Sequence, residues 1–338
     1  MSSNPLQIVD FKQRDEHKIA SELLDAAMNQ GFLFIDGHDF SQDEVSHLFL
    51  ISKHFFDLLL AEKTQIPIDE QNFGYSDLFG ELLDEKSNNK RGDPKEAFNF
   101  ANLNFESGLP SHDLPDFFTN DNDKMVFISN IIKKLYNVSI KILYYLALAL
   151  NIDDSKGGKN WFIDRHRPDK KSGSVFRFLK YPSLKSIDSE NLVRAGAHTD
   201  YGGLTLLFQQ ENQEGLQIFF SSSKKWESVP YIDSIYKNKS SAPPIIVNIA
   251  DQLSYWTNGI LKSTIHRVQF PIKSIEQNKD RYSIVFFSHP EDETALVPIP
   301  SDFVNQVKNR GASNSKEVLT AKQHLDRRLA ATYGWKTY

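Results

Sequence analysis

The chain has 338 residues, of which 40% are hydrophobic, 25% charged and 12% aromatic, with a formal net charge of −5. These are values of a globular protein able to bury a sizeable core, and the negative balance with no long basic block argues against nucleic acid or an acidic membrane as the main partner. The absence of cysteine removes disulfides, Cys-ligated zinc, iron–sulfur clusters and a thiol nucleophile.

In chain order, residues 5–11 read as a short strand. Residues 15–30 carry Ile19, Leu23, Ala26 and Ala27 at helical spacing, with Gly31 placed as a C-cap. Residues 31–35, Gly-Phe-Leu-Phe-Ile, read as a buried strand, and Ser41 with Glu44 forms a capping-box pattern opening a helix to about Leu60. Residues 63–121 are rich in Asn, Asp, Gly and Pro and read as irregular, interrupted by aromatic segments at Phe73–Tyr75 and Phe98–Phe100. A long helix is expected over about 122–150. Its most apolar stretch, Ile142 to Leu150, is far too short to span a bilayer. Met1 to Phe11 lacks the basic-then-apolar run of a signal peptide. The expectation is a protein without membrane attachment, in the cytoplasm, with the nucleus left open.

After Gly157-Gly158 the texture changes to short apolar runs broken by turn residues: Ser174–Leu179, Leu204–Phe208, Leu216–Phe220, Ile245–Ile249 and Tyr282–Ser288. This spacing predicts an antiparallel sandwich or barrel. Lys273–Asp280 reads as an exposed hairpin tip, and residues 314–334 return to helix. The organisation expected is a mainly helical N-terminal region (1–155), a β domain (156–295) and a C-terminal extension with a helix (296–338).

His198-Thr199-Asp200 is the most informative tripeptide. In a strand, residues i and i+2 share a face, so His198 and Asp200 can converge on one ion while Thr199 points away. His266, in a later predicted strand, is the natural third ligand. Two histidines and one carboxylate form the facial triad of non-haem iron sites, which leaves positions open for a chelating co-substrate and O₂; they also suit zinc, although no His-Glu-x-x-His pattern supplies a hydrolase base. His289-Pro290-Glu291 and His324-Leu325-Asp326 repeat the His-x-acid pattern. The second lies in a predicted helix, where i and i+2 diverge by about 200°, so both are assigned to surface or core roles. Arg281 and Ser283 share a face of a strand, where a guanidinium fork and a hydroxyl make a carboxylate receptor. Alone, Arg281 reads more readily as a surface arginine at a strand edge. Tyr181 offers either a phenol hydrogen bond or a core aromatic.

The chain resembles the 2-oxoglutarate/Fe(II) dioxygenase superfamily, in the branch similar to isopenicillin N synthase. The matching stretches are 195–207 (with His198 and Asp200), 214–217, 247–251, 256–259, 262–268 (with His266) and Arg281-Tyr282-Ser283, joined by 31–34 and 95–98 in the N-terminal half. The resemblance implies a mainly β fold with flanking helices, around a distorted double-stranded β-helix (jelly roll). It implies Fe(II) on His198, Asp200 and His266, 2-oxoglutarate as co-substrate held by Arg281, Ser283 and Tyr181, and O₂ as oxidant. Where many members have Asn two residues before that tyrosine, this chain has Leu179. The implied reaction is oxidation, by hydroxylation, of a small organic substrate with release of succinate and CO₂. Rivals are an Fe(II) oxidase of the isopenicillin N synthase type without 2-oxoglutarate, and a non-catalytic metal- or ligand-binding relative. Phe73, Tyr75, Phe98, Phe100 and Phe287 are candidates for the substrate wall. Substrate identity and oligomeric state stay open at this stage.

Overall fold

The computed structural model describes residues 4–84, 91–183, 193–270, 278–306 and 318–334. The strands are β1 (Ile8–Asp10), β2 (Phe32–Asp36), β3 (Gly74–Ser76), β4 (Glu96–Phe100), β5 (Leu103–Asn104), β6 (Leu109–Pro110) and β7 (Val175–Tyr181). They continue with β8 (Val193–His198), β9 (Leu204–Phe208), β10 (Leu216–Phe220), β11 (Lys225–Ser228), β12 (Ile245–Ile249), β13 (His266–Gln269) and β14 (Arg281–Ser288). The helices are α1 (Glu16–Asn29), α2 (Gln42–Phe56), α3 (Leu60–Lys63), α4 (Asp116–Thr119), α5 (Asn122–Ala149), α6 (Asp251–Trp256), α7 (Asp302–Asn305) and α8 (Ala321–Tyr333).

An eight-stranded sheet, in the order β1-β2-β12-β9-β14-β7-β4-β3, faces a four-stranded sheet, β11-β10-β13-β8. Between them Phe32, Phe34 and Ile246 of the large sheet meet Leu216 and Ile218 of the small one, while Leu179 and Val285 meet Ala195 and Val268. This is the expected distorted double-stranded β-helix. Period-two alternation decides which side chains enter it. On β14, Arg281, Ser283, Val285 and Phe287 look toward the small sheet, and Ile284 and Phe286 join the helix-covered core on the other face. On β7 the same rule sends Arg177, Leu179 and Tyr181 inward and Phe176 and Phe178 outward. The strands are buried on both faces, so their sequences show little hydrophobic alternation.

The outer face of the large sheet is covered by α1, α2 and α5. The long helix α5 buries Ile128, Ile131, Ile132, Leu135, Ile142, Leu143 and Leu146 at helical spacing. Each buried side chain of this size contributes about 1.5–3 kcal/mol. Helix α2 opens on the predicted capping box: Ser41 Oγ accepts from Glu44 N at 3.1 Å and Glu44 Oε2 accepts from Ser41 N at 2.9 Å. It ends at Phe56, short of the expected Leu60, because Leu59 is extended and the chain restarts as α3. Gly31 follows α1 at φ +73°, and a Cβ there would lie 1.9 Å from the Lys262 carbonyl oxygen; the left-handed turn and the close approach both require glycine.

Residues 63–121 are more ordered than expected. Strand β4 is buried throughout and pairs with β7 and β3. Residues 1–155 thus supply three helices to the outer face and also β1 to β4 of the large sheet. The predicted hairpin tip at Lys273–Asp280 and the start of the predicted helix at 314 fall largely outside the described residues.

Candidate functional site

Strands β8 and β13 are antiparallel neighbours, and their register sets His266 opposite His198, with ring centroids 4.3 Å apart. Asp200 lies just past the end of β8 rather than within it. Its placement comes from a pinned turn: Asp251 N donates to the Asp200 carbonyl, Gln252 N to that of Gly202 and Ala250 N to that of Gly203, each at 2.9 Å. Thr199 turns away, as alternation predicts, and donates Oγ1 to Asp251 Oδ2 at 3.0 Å. Asp200 Oδ1 then stands 3.6 Å from His198 Nε2 and 3.6 Å from His266 Nε2. The three atoms lie within 4.8 Å of one another, close enough for a common ion at bond lengths of roughly 2.0–2.2 Å.

The remaining polar atoms orient the three donors. His198 Nδ1 donates to the Gly196 carbonyl at 2.8 Å and His266 Nδ1 to the Thr264 carbonyl at 3.1 Å. A carbonyl only accepts, so each proton sits on Nδ1 and each Nε2 lone pair faces the site. Burial, and then the neighbouring His266, push the His198 pKa down to about 3. Asp200 Oδ2 accepts from Thr205 Oγ1 at 2.6 Å and Asn248 Nδ2 at 2.8 Å, which leaves Oδ1 to the imidazoles. Burial raises the Asp200 carboxyl, but the two imidazoles and these hydrogen bonds outweigh it and hold the pKa below its ordinary value. Two imidazole nitrogens and a carboxylate oxygen on one side of a point fit a divalent transition metal with open positions opposite.

The triad opens into a deep cavity between the sheets, which also receives Arg281, Ser283 and Tyr181. Arg281 is 3% exposed and Ser283 1%. Arg281 donates Nη1 to Ser283 Oγ and Nε to the Gln213 carbonyl, both at 2.7 Å, and its guanidinium lies 5.0 Å from the Tyr181 ring centre. Among the described residues it forms no ion pair. Burial lowers its pKa, the mark of a desolvated cation without a carboxylate beside it. Leu179, paired with Ser283 across the ladder, presents only carbon to this part of the cavity.

Of the aromatic candidates for the wall, Phe287 lines the cavity. Phe98 and Phe100 face the helices instead, Phe73 packs with Ala101 and Val175, and Tyr75 turns its hydroxyl to Glu96 at 2.6 Å. The wall includes residues that sequence reasoning missed: Glu81, Lys95, Arg177, and Leu325, Leu329 and Tyr333 of α8. His289 is buried beside the Asp200 turn, where a Cβ on Gly202 would meet its ring at 2.6 Å. His324 and Asp326 lie in α8, with Asp326 paired to Lys322. Among the described residues, only His198, Asp200 and His266 form a cluster able to hold a metal ion.

The 2OG-Fe(II) oxygenase superfamily model matches residues 172–290, and a model described as the N-terminal part of a non-haem dioxygenase in morphine synthesis matches residues 6–120. The chain belongs to the 2-oxoglutarate/Fe(II) oxygenase superfamily and is a 2-oxoglutarate-dependent Fe(II) dioxygenase. It is 29% identical to a UPF0676 protein of Schizosaccharomyces pombe over 341 residues, covering 99% of this chain and 95% of that one. It is 29% identical over 307 residues to the 2-oxoglutarate-dependent dioxygenase ecdK of Aspergillus rugulosus, covering 83% of this chain and 85% of that one. A Neurospora crassa protein solved in complex with alpha-KG and 5-formyluracil superimposes with a TM-score of 0.72 at 25% identity, over 97% of this chain and 96% of that one.

Proposed function

We propose that the enzyme hydroxylates a small organic molecule, with Fe(II) held by His198, Asp200 and His266 and the far carboxylate of 2-oxoglutarate held by Arg281 and Ser283, beside Tyr181. The observation that carries this is the pairing, in one cavity, of three converging metal donors with a buried arginine that forms no ion pair among the described residues. Bound iron supplies the oxidative chemistry: 2-oxoglutarate, O₂ and a substrate C–H bond become succinate, CO₂ and the hydroxylated product.

The chain's own residues bind, orient and exclude water. Asn248 and Thr205 fix the Asp200 carboxylate, and the Gly196 and Thr264 carbonyls fix the two rings, so the donors need no rearrangement to bind metal. Arg281 offers a charge-assisted fork to the co-substrate from a strand held by ladders on both sides. Leu207, Leu216, Val268 and Val285 line the space near it and keep it dry, which strengthens each polar contact made there.

The test is succinate formation by the Fe(II)-loaded enzyme, supplied with 2-oxoglutarate and O₂ and screened across candidate substrates. Substrate-stimulated succinate release is expected. Substrate-dependent O₂ consumption with no succinate would favour an oxidase of the isopenicillin N synthase type and overturn the role given to Arg281.

A further inference from the structure

We propose that Asp251 is a positioning residue for the metal centre: one residue that ties together the two separate stretches of chain carrying His198, Asp200 and His266. The proposal rests on the metal triad assigned above and concerns how that triad is held.

His198 ends β8, Asp200 lies just past it, and His266 opens β13. The β8–β13 ladder joins the two stretches, but its register shifts directly after the His266–His198 pair. A ladder disrupted at that point leaves the spacing of the ligands loosely set, and Asp200 lies beyond the strand altogether.

Asp251 bonds to both stretches. Its N–H donates to the Asp200 carbonyl at 2.9 Å. Its Oδ2 accepts from Oγ1 of Thr199, the residue between the first two ligands, at 3.0 Å. Its Oδ1 accepts from Ser263 Oγ at 2.6 Å. Ser263 precedes Thr264, whose carbonyl orients the His266 ring. The 262–264 segment is also held to the end of α1, where Lys262 N donates to the Ala27 carbonyl at 3.0 Å. The Ser263 bond is what refers that segment to the other two ligands. Asp251 is the first residue of α6, and the cap position before it, Ala250, makes no side-chain bond. The carboxylate turns instead to the two hydroxyls. Two hydroxyl donors approaching from opposite segments suit a carboxylate, which offers two acceptor oxygens where an amide offers one.

The test uses the full chain without oxygen. Fe(II) affinity is read by competition with a chelator, the metal environment by the visible absorption of the Fe(II)–2-oxoglutarate complex, and the fold by thermal unfolding of the metal-free protein. Asp251→Ala should lower Fe(II) affinity roughly 10–100-fold, the range for partners behind a metal ligand, and shift or weaken the absorption. The variant Thr199→Val/Ser263→Ala keeps the charge at the start of α6 and removes only the two hydroxyls. It should reproduce most of that loss, and combining it with Asp251→Ala should cost little more, because the same two bonds are already gone. Asp251→Asn, with one acceptor oxygen, should fall between Asp251→Ala and the parent. The hydroxyl pair decides the matter even where Asp251→Ala does not fold. If Asp251 serves only the stability of α6, Thr199→Val/Ser263→Ala binds Fe(II) as the parent does, and that result overturns the proposal; so does parental Fe(II) affinity in Asp251→Ala. Failure of the triad assignment looks different: His198→Ala then binds Fe(II) as tightly as the parent.

Discussion

His198 and His266 are oriented by the same device: each donates its Nδ1–H to the carbonyl two residues earlier in its own chain, Gly196 for one and Thr264 for the other. The two strands then bring the rings together across one ladder, their planes tilted by 51°. Both Nε2 atoms are aimed by backbone, and Asp200 closes the triangle from a turn.

Replacing His198 or Asp200 by Ala should abolish succinate formation while leaving the fold nearly intact, because both side chains line a cavity rather than the packed core. Circular dichroism and anaerobic metal titration check the two halves of this statement. Normal succinate formation in either variant would refute the assignment of the triad.

Asn248 lies one residue before the end of β12 and donates to the Asp200 oxygen that faces away from the imidazoles. Asn248→Ala leaves Oδ2 with Thr205 alone and frees the carboxylate to rotate. Metal affinity should fall roughly 10–100-fold, as for other partners behind a metal ligand, measured by competition with a chelator.

Arg281→Ala should weaken 2-oxoglutarate binding by about 2–5 kcal/mol, the loss expected when one partner of a buried charge-assisted pair is truncated. The apparent co-substrate requirement rises accordingly, and Arg281→Lys recovers only part, since an ammonium cannot reproduce the fork. A co-substrate titration with an unchanged midpoint in Arg281→Ala would remove this residue from the binding site.

His166 is buried, with Nδ1 donating to the Phe162 carbonyl at 2.7 Å and Nε2 without a partner. Burial lowers its pKa from 6.5 to about 4. The folded state therefore favours neutral imidazole. This contribution to stability is fully present above the ordinary value of 6.5 and is lost as pH falls from there through about 4. Between about pH 7.5 and about pH 5 the loss is on the order of 2 kcal/mol. Urea unfolding should show that loss in the parent and a flatter response in His166→Asn, where the amide can keep the bond to Phe162.

The convergence of the three donors was legible in the sequence because the signal for two of them is local. His198 and Asp200 sit in one tripeptide, and Arg281 and Ser283 share a strand face by simple alternation. The aromatic walls were misjudged for a related reason. Phe98 and Phe100 lie on the face of β4 that meets the helices, while Ala97 packs between the sheets, and nothing local distinguishes those faces when both are buried. Strand β4 itself was hidden in a polar segment, since its Glu96 is paired out of view with Lys63 and Tyr75. Arg177 was invisible for the same cause: a charge alternating with phenylalanine in a strand reads as a solvent face, whereas here it faces an enclosed cavity. Tyr333 reaches Glu81 across 252 residues of chain, a contact that no local pattern announces.

Arg177 and Arg281 stand on neighbouring strands of one ladder, while Leu325 and Leu329 reach the cavity from α8, which belongs to neither sheet. Part of the cavity's shape is thus set by a helix that takes no part in the hydrogen bonding of the sheets. Changes at Leu325 or Leu329 can reshape what is admitted without altering a single rung between β7 and β14, so a lineage built on this scaffold can acquire new substrates while its oxidising machinery stays untouched.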